Sequence, residues 1–236
     1  MLGTKSLILL TIVLLSASAI SQTSISACGM KCGQERWAIK TLTDSEAAAV
    51  GSAAPENTTV TDLLGKTGPA KLTNTRAPLE KERFHLTALI IGWKIEATTS
   101  DEIVGKTTAM STSVPDHDFH IVIADPNNTK NQMIMEVPDP DCQAVCSSTF
   151  LKQISQVRSE VSSKLGTPTS SVVALAKPWL VEITGPAFFD FIHGQVGLAR
   201  NCIEIHPVME IKFLKQQGDK VTPHKATDLT HECGKE

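Results

Sequence analysis

Apolar and polar residues alternate along several short stretches of this chain, and this alternation limits the fold more than any other feature. The stretch DFHIVIADP alternates strictly and ends in an Asp-Pro turn signal, and CIEIHPVMEIKF alternates again further along. A period of two is typical of strands that bury one face of a sheet. The pattern predicts five strands, at residues 82–97, 118–126, 131–140, 177–191 and 202–213.

One helix is expected among these strands, at residues 146–166. Apolar residues recur there at intervals of three and four, and Gly166 follows as a stop signal. That spacing places them on one face of an α-helix. The residues concerned are Phe150, Ile154, Val157, Val161 and Leu165.

The order of these elements favours one architecture. Three strands, one helix and two strands, with a long polar loop at residues 98–115, is the order of the OB-fold, a five-stranded Greek-key barrel. We predict a mainly β protein whose OB-fold-like β-barrel covers residues 81–213. A helical and loop extension at residues 20–80 is expected to pack on it, and a polar tail follows at residues 214–236. The alternatives are another small closed barrel and an α+β sandwich.

The first residues are typical of an export signal. Lys5 precedes the apolar run SLILLTIVLL, and SASA then supplies a small-residue cleavage pattern that ends at Ala19. The apolar run is shorter than the roughly 20 residues that a membrane span needs. We predict a signal peptide at residues 1–19 and a secreted or periplasmic mature chain without a transmembrane span. A lipoprotein anchored through Cys28 is the alternative.

Six cysteines in an exported chain predict disulfide bonds, because the cell exterior and the periplasm are oxidising. They fall as Cys28-x3-Cys32, Cys142-x3-Cys146, Cys202 and Cys233. Six cysteines allow many pairings that the sequence does not distinguish. The matching spacings favour bridges between the first pair and the second, which leaves Cys202 to hold the tail through Cys233. A four-thiolate zinc site is the alternative, although structural zinc more often uses a spacing of two residues.

The charge balance argues against one class of partner. The net charge is −3, and it becomes −4 when the signal peptide with its single Lys5 is removed. Non-specific nucleic-acid binding depends on Lys and Arg contacts to phosphates, so this acidic balance argues against it. An unknown small ligand or a second copy of the chain in an oligomer is the expected partner.

Polar side chains follow one face of three predicted strands. Asp118 and His120 alternate with apolar residues in the second strand, Glu136 in the third, and Glu204 and His206 in the fifth. Successive side chains of a strand point to opposite faces, so these five are expected on the outward, solvent-facing side. In an OB-fold the third strand lies between the second and the fifth. We therefore expect the five side chains to converge on one patch.

Such a patch has two chemical uses. His and carboxylate groups bind Zn²⁺ or a similar divalent ion through N and O atoms, and His120, His206 and Glu204 are the candidate metal ligands. A carboxylate also orients a neighbouring imidazole as a general base. The third interpretation is that these are ordinary polar residues of a solvated face.

Three function hypotheses follow. The first is a binding module whose unknown ligand contacts the patch and the loop at residues 186–195. The second is a metal-dependent hydrolase, of a phosphoesterase or nuclease-like type, with a divalent metal as cofactor. The sequence contains no Gly-x-Ser-x-Gly, His-Glu-x-x-His or P-loop motif in support of it. The third is a structural envelope protein without a small ligand.

The segment FFDFIHGQVG carries two further candidates, Asp190 and His193. It follows the Gly185-Pro186 break, so its backbone N–H groups need partners outside a strand ladder. A carboxylate that accepts such N–H groups would anchor the loop. The alternatives are ligand contact and a catalytic role in proton transfer. The loop lies between the fourth and fifth predicted strands, one of the connections that OB-folds use for ligands.

Several of these motifs resemble those of a known group of proteins. CGQERWAIKT, DFHIVIADP, MEVPDPDC and FFDFIHGQVG…NCIEIHPV are similar to segments of an uncharacterised family of exported bacterial proteins, and the resemblance covers most of residues 32–213. It implies an exported bacterial protein and no particular activity. The cysteines that recur in that family match Cys32 and Cys142, so the resemblance implies a Cys32–Cys142 bridge. Cys28–Cys146 and Cys202–Cys233 are then the additional bridges.

Overall fold

The computed structural model describes residues 28, 30–33, 35–96, 117–192, 194–228 and 230. Four features predicted from the sequence lie outside these described residues. They are the signal peptide at residues 1–19, the loop at residues 98–115, His193 and Cys233.

The described chain is mainly β, as predicted. Its strands are β1 Glu56–Thr58, β2 Arg83–Ile95, β3 Phe119–Asp125, β4 Asn128–Val137, β5 Val173–Phe189, β6 Ile203–Ile205 and β7 Glu210–Gln216. They form one sheet with the order β1-β2-β3-β4-β6-β5-β7.

The helices of the described residues are short, with one exception. They are α1 Trp37–Lys40, α2 Ala47–Ser52, α3 Val60–Leu64, α4 Gln143–Ser147 and α5 Leu151–Leu165, with 3-10 turns at Pro78–Lys81 and Ala226–Asp228. The longest, α5, is the predicted helix, and it buries Ile154, Val157 and Val161 as the apolar spacing predicts. Among the described helices, none has the length and apolar character needed to cross a bilayer.

The pairings between neighbouring strands form a closed cycle that begins and ends at β2. β2 lies antiparallel to β3 on one edge and antiparallel to β5 on the other. β4 lies antiparallel to β3 and parallel to β6, and β6 lies antiparallel to β5. The sequence of pairings therefore runs from β2 through β3, β4, β6 and β5 back to β2. Helix α5 lies along the chain between β4 and β5.

One face of these strands encloses the main hydrophobic core. Alternate residues of β2 to β7 contribute to it, which is the pattern expected from a side-chain period of two. The buried apolar residues include Phe84, Leu86, Ile90, Ile121, Ile123, Met133, Met135, Ile183, Ile203 and Ile205. The opposite face of β3 and β4 carries the polar residues that alternate with them.

The strand predicted at residues 202–213 is interrupted. β6 ends at Ile205, β7 begins at Glu210, and both pair with β5. Pro207 lies between them and has no N–H to donate to a ladder. The N–H groups of His206 and Val208 donate instead to the carbonyls of Pro186 and Glu136. His206 therefore lies beside Glu136 of β4.

Two disulfide bonds attach the N-terminal segment to α4. They join Cys28 to Cys146 and Cys32 to Cys142, which confirms two of the three predicted pairs. These four cysteines are oxidised, so they do not form the four-thiolate zinc site. The third predicted pair, Cys202–Cys233, includes a residue outside the described ones. The bridges hold the segment that leads into α1.

Candidate functional site

The five polar residues of the predicted patch lie together on the face of β3, β4 and β6 that is opposite the core. Contacts of 3.1 to 3.2 Å link Asp118, His206, Glu136 and His120 in a chain. Glu204 lies on β6, opposite Ile134 of β4 in the strand register. The expected convergence of strands two, three and five is thus present.

The expectation that this face is exposed to solvent is wrong. Asp118, His120, Glu136, Glu204 and His206 are between 0% and 3% exposed. A face that alternates with a core face is solvated only where nothing covers it. Here a second layer of chain covers it, so the patch is a buried cluster.

The covering layer comes from the loop at residues 190–202 and from residues near the C-terminal end. Val196 packs with Val122 and Ala124 of β3, and Val221 packs there too. The loop approaches β3 closely at Gly197, which has a φ of 85°. A Cβ at that position would lie 2.4 Å from Val122 Cγ1. Glycine is therefore required where the loop lies on the strand.

His120 is held between the covering loop and two carboxylates. Its Nε2 lies 2.8 Å from the carbonyl oxygen of Val196, and a carbonyl only accepts, so Nε2 carries a proton. Its Nδ1 lies 3.1 Å from Glu136 Oε1 and 3.3 Å from Glu96 Oε1. In a neutral imidazole only Nε2 would carry a proton, and the lone pair of Nδ1 would then face two acceptors. The geometry therefore requires a positive species at Nδ1, either a proton or a metal cation.

His206 also lies between two carboxylates, but it faces each with a different nitrogen. Nδ1 is 3.1 Å from Glu136 Oε2, and Nε2 is 3.2 Å from Asp118 Oδ2. Glu136 thus directs one oxygen at each of the two imidazoles. Its carboxylate is the common element of the cluster.

Glu96 belongs to the cluster although the pattern of alternation did not single it out. Counting by twos from Phe84 and Ile90, which face the core, places Lys94 and Glu96 on the core side as well. The pairing of β2 shifts between Ile90 and Gly92, where a β-bulge interrupts the register. A bulge adds one residue and reverses the faces beyond it. Lys94 and Glu96 consequently face the cluster, 3.3 Å apart at Nζ and Oε1.

Lys40 of α1 is a second member that the sequence did not indicate. It is buried, its Nζ lies 3.6 Å from Asp190 Oδ2, and it lies over the ring of Phe188. A single lysine in a short helix carries no pattern that distinguishes it from a surface residue. Its position depends on the disulfide-linked N-terminal segment.

Asp190 occupies the position of a loop anchor. Its Oδ1 accepts the N–H of Phe191 at 2.9 Å, and Oδ2 faces Lys40. Burial and these partners are what the anchoring interpretation predicts. The other predicted catalytic residue, His193, lies outside the described residues.

Burial and close charges shift the pKa values of the cluster. Burial alone would raise the pKa of Glu136, but the contacts with His120 and His206 hold it well below its usual value. Burial alone would lower the pKa of His120, but the contacts with Glu136 and Glu96 raise it to about 9. Burial raises the pKa of Asp118 to about 6. For Glu204, burial and then the negative charges of Glu136 and Asp190 raise the pKa well above its usual value.

These shifts predict that the metal-free protein loses stability at alkaline pH. The pKa of His120 is about 9 in the folded protein, above its usual 6.5, so the folded state holds the proton more tightly. Its stabilisation is complete below pH 6.5 and is lost as the pH rises through 9. Deprotonation of Asp118, whose pKa is raised to about 6, also lowers the stability of the folded state, but it does so at lower pH. Guanidinium unfolding in chelator should give a lower free energy of unfolding at about pH 9.5 than at about pH 6.5.

The control for this prediction is His120→Gln, which cannot take up a proton. Its free energy of unfolding should change less between the two pH values than that of the natural chain. An equal change in both proteins would contradict the assignment of the alkaline loss to His120.

Two sets of residues in the cluster have the donor atoms and spacing of a cation site. Glu96, His120 and Glu136 form one, and Asp118, Glu136 and His206 form the other, with ligand atoms within 4.8 Å of one another in each. Glu204, a predicted metal ligand, belongs to neither set. Several buried oxygen and nitrogen atoms here have no hydrogen-bond partner of good geometry, namely Glu96 Oε1, both oxygens of Asp118 and of Glu204, Glu136 Oε2 and both nitrogens of His206. Such a concentration of unsatisfied buried groups calls for an ion or another explanation.

A cavity of about 210 Å³ lies next to the cluster. Its lining includes Lys94, which contacts Glu96, and Val196, whose carbonyl holds His120. Ser170, Ser171 and Gln195 complete its polar wall. The cavity is therefore separated from the candidate ligands by the side chain of Lys94 and the backbone of the loop.

Comparisons of the chain with protein-family models, with curated proteins and with solved structures found no match in any of the three.

Proposed function

We propose that this chain is an OB-type binding module that holds a divalent cation in the buried cluster of Glu96, His120 and Glu136. The closed sequence of pairings, the parallel β4–β6 pair and the position of α5 between β4 and β5 support the OB assignment. OB-folds bind ligands on the face of their second and third strands and with the loop between the fourth and fifth. The cluster occupies that face, on β3 and β4, under the loop that follows β5.

The observation that carries the proposal is the environment of His120 Nδ1. Two carboxylate oxygens face it at 3.1 and 3.3 Å, while Nε2–H donates to Val196. A metal-binding imidazole usually donates its second N–H to a carbonyl or carboxylate, which fixes the ring and its tautomer. A cation at Nδ1 would also contact Glu96 Oε1, which has no hydrogen-bond partner of good geometry and lies 3.3 Å from Lys94 Nζ.

The ligand set indicates the class of metal. One imidazole nitrogen and two carboxylate oxygens suit Zn²⁺, Mn²⁺ or Fe²⁺. The competing occupant is a proton on Nδ1. Because the ligand must lose that proton before the metal binds, cation affinity is expected to rise with pH.

Metal analysis of the purified protein tests the proposal. After chelation and reloading with Mn²⁺ or Zn²⁺, the natural chain should hold about one equivalent. At a free concentration about 1,000 times the Kd, the cation should raise the free energy of unfolding by about 4 kcal/mol. Glu96→Gln and His120→Gln should lose both effects, because each removes one ligand of three.

Glu182→Gln is the matched control, since Glu182 makes an exposed pair with Lys212 away from the cluster. It should bind as the natural chain does. A natural chain that takes up no cation, or variants that bind like the control, would reject the proposal. The first outcome would leave a charge-paired structural cluster, which is the hypothesis of a structural envelope protein.

The burial of the cluster favours binding over hydrolysis. A catalytic zinc keeps a coordination position open to water or substrate. Here the candidate ligands are almost fully buried, and the covering loop separates them from the neighbouring cavity. We expect the cation-loaded protein to leave a phosphodiester such as bis(p-nitrophenyl) phosphate unhydrolysed above the rate of free cation. Turnover that disappears in Glu96→Gln would instead support the hydrolase hypothesis.

The place of action that we propose is an oxidising compartment outside the cytoplasm. The two disulfide bonds support it, because such bonds persist mainly in secreted and periplasmic proteins. The apolar N-terminal run and the resemblance to an exported bacterial family agree with it. Fractionation of the source cells, with N-terminal sequencing of the mature chain, tests this part independently of metal binding.

A further inference from the structure

Glu136 is a candidate ligand whose two oxygens face different partners. Oε1 is directed at His120 and the proposed cation position, while Oε2 lies 3.1 Å from His206 Nδ1. The orientation of the carboxylate therefore depends on what holds Oε2. His206 is the group in that place.

His206 is in turn held from its far side. Its Nε2 lies 3.2 Å from Asp118 Oδ2, and both residues are fully buried. Neither oxygen of Asp118 has a hydrogen-bond partner of good geometry among the described residues, and the imidazole of His206 lies in contact with Oδ2. Carboxylate oxygens only accept, and the two nitrogens of His206 therefore face two acceptors, as an imidazolium does.

The spacing of these atoms favours an imidazolium over a second cation at this place. A metal ion binds through one nitrogen of a histidine ring, at roughly 2.0–2.1 Å. Here the two carboxylates contact opposite nitrogens of one ring, so a cation bound to either nitrogen would leave the contact at the other nitrogen to a proton. Around His120, by contrast, both carboxylates face the same nitrogen.

We propose that His206, held by Asp118, is a positioning residue for the cation, and that it orients Glu136 so that Oε1 faces the cation position. This inference rests on the proposed cation site. It assigns His206 and Asp118 a role outside the coordination sphere, as the partners that fix a ligand's orientation. Losing such a partner typically weakens metal affinity 10- to 100-fold.

Titration with Mn²⁺ tests the inference. His206→Leu should weaken the Kd by about 10- to 100-fold and leave the stoichiometry at about one equivalent. Asp118→Asn should weaken the Kd less than His206→Leu, because a neutral His206 still donates Nδ1–H to Glu136. The control is Val161→Ala in α5, which removes buried volume from the core without touching the cluster. It lowers stability through a cavity and should leave the Kd unchanged.

The outcomes separate the two proposals. No uptake by the natural chain would remove the cation site itself. A His206→Leu variant whose Kd changes no more than that of Val161→Ala would overturn the positioning role and leave the site intact. Two equivalents in the natural chain with one lost in His206→Leu would make His206 a ligand, which also overturns it.

A measurement on the natural chain covers the case in which a variant does not fold. Pulsed electron paramagnetic resonance of the Mn²⁺-loaded protein reports the imidazole nitrogens bound to the metal. One coordinated imidazole, from His120, is expected. A second would show that His206 binds the cation, and the positioning role would be wrong.

Discussion

Replacement of Glu136 by leucine is expected to lower the free energy of unfolding of the metal-free protein by about 3–5 kcal/mol. Glu136 is buried and lies 3.1 Å from each of two imidazoles. Removing it leaves both positively charged rings short of a partner in a place that water does not reach. Removal of one partner from a buried ion pair carries this penalty because the remaining charge stays desolvated. Guanidinium unfolding in the presence of chelator gives the measurement.

The comparison for this result is Glu182→Leu, which removes the carboxylate of an exposed pair. Glu182 and Lys212 lie 3.0 Å apart at the surface, and such pairs contribute about 1 kcal/mol or less. A Glu136→Leu loss as small as that of Glu182→Leu would show that the cluster is not charged as described. A double-mutant cycle with His206→Leu isolates the coupling between the two residues.

The disulfide bonds lead to the other large expected effect. Each bridge alone closes a long loop, because its cysteines are separated by 118 and 110 positions in the sequence. When one bridge is intact, the other closes only a ring of about ten residues. Paired Cys→Ala replacements that remove either bridge should therefore lower the free energy of unfolding by about 3 kcal/mol, and removal of both by about 7–8 kcal/mol. The free energy of unfolding of a single domain is only about 5–15 kcal/mol, so loss of both bridges brings the chain close to unfolding.

Non-additivity is the test of this account. Denaturant unfolding of the two single-bridge proteins and the bridge-free protein, followed by circular dichroism, gives the three values. The second bridge removed should have the larger effect, whichever it is. Equal and additive losses would mean that the two bridges act through separate parts of the structure.

The positions of most site residues followed from alternation alone. Once Ile121 and Ile123 are assigned to the core, His120 has to lie on the opposite face, and the same holds for Glu136 between Met135 and Val137. The parallel contact of β4 with β6 then brings Glu204 beside Ile134. These relations depend on local periodicity, which the sequence expresses directly.

Glu96 was missed because its position depends on one irregular residue. A β-bulge leaves no clear pattern in a strand rich in apolar residues, and β2 is apolar on both faces from Ala88 to Gly92. Counting by twos across the bulge gives the wrong face for everything beyond it. Gly92 marks the place, since a Cβ there would lie 2.9 Å from Pro223.

The burial of the cluster could not be predicted from the periodicity of the strands. Whether a polar face is exposed to solvent depends on what lies over it, and the cover here comes from the loop at residues 190–202 and from residues near the C-terminal end, such as Val221. These segments show no periodicity that would place them on β3. Gly197 suggested a turn in the sequence, whereas in the fold it permits close contact with Val122.

The cluster combines residues that are far apart in the sequence, with Lys40 on α1 and His206 after β6. It can therefore close, that is, bring all its residues together, only after both segments have emerged. A chain that emerges from its N-terminus, from a ribosome or through a membrane, presents Cys28 and Cys32 long before Cys146 and Cys142. Lys40 lies on α1, shortly after Cys32, and His206 emerges later than either partner cysteine. Closure is therefore a late event, which takes place in the compartment where the thiols are oxidised. The cation available there, rather than any earlier in the chain's history, is the one that the closing cluster would retain.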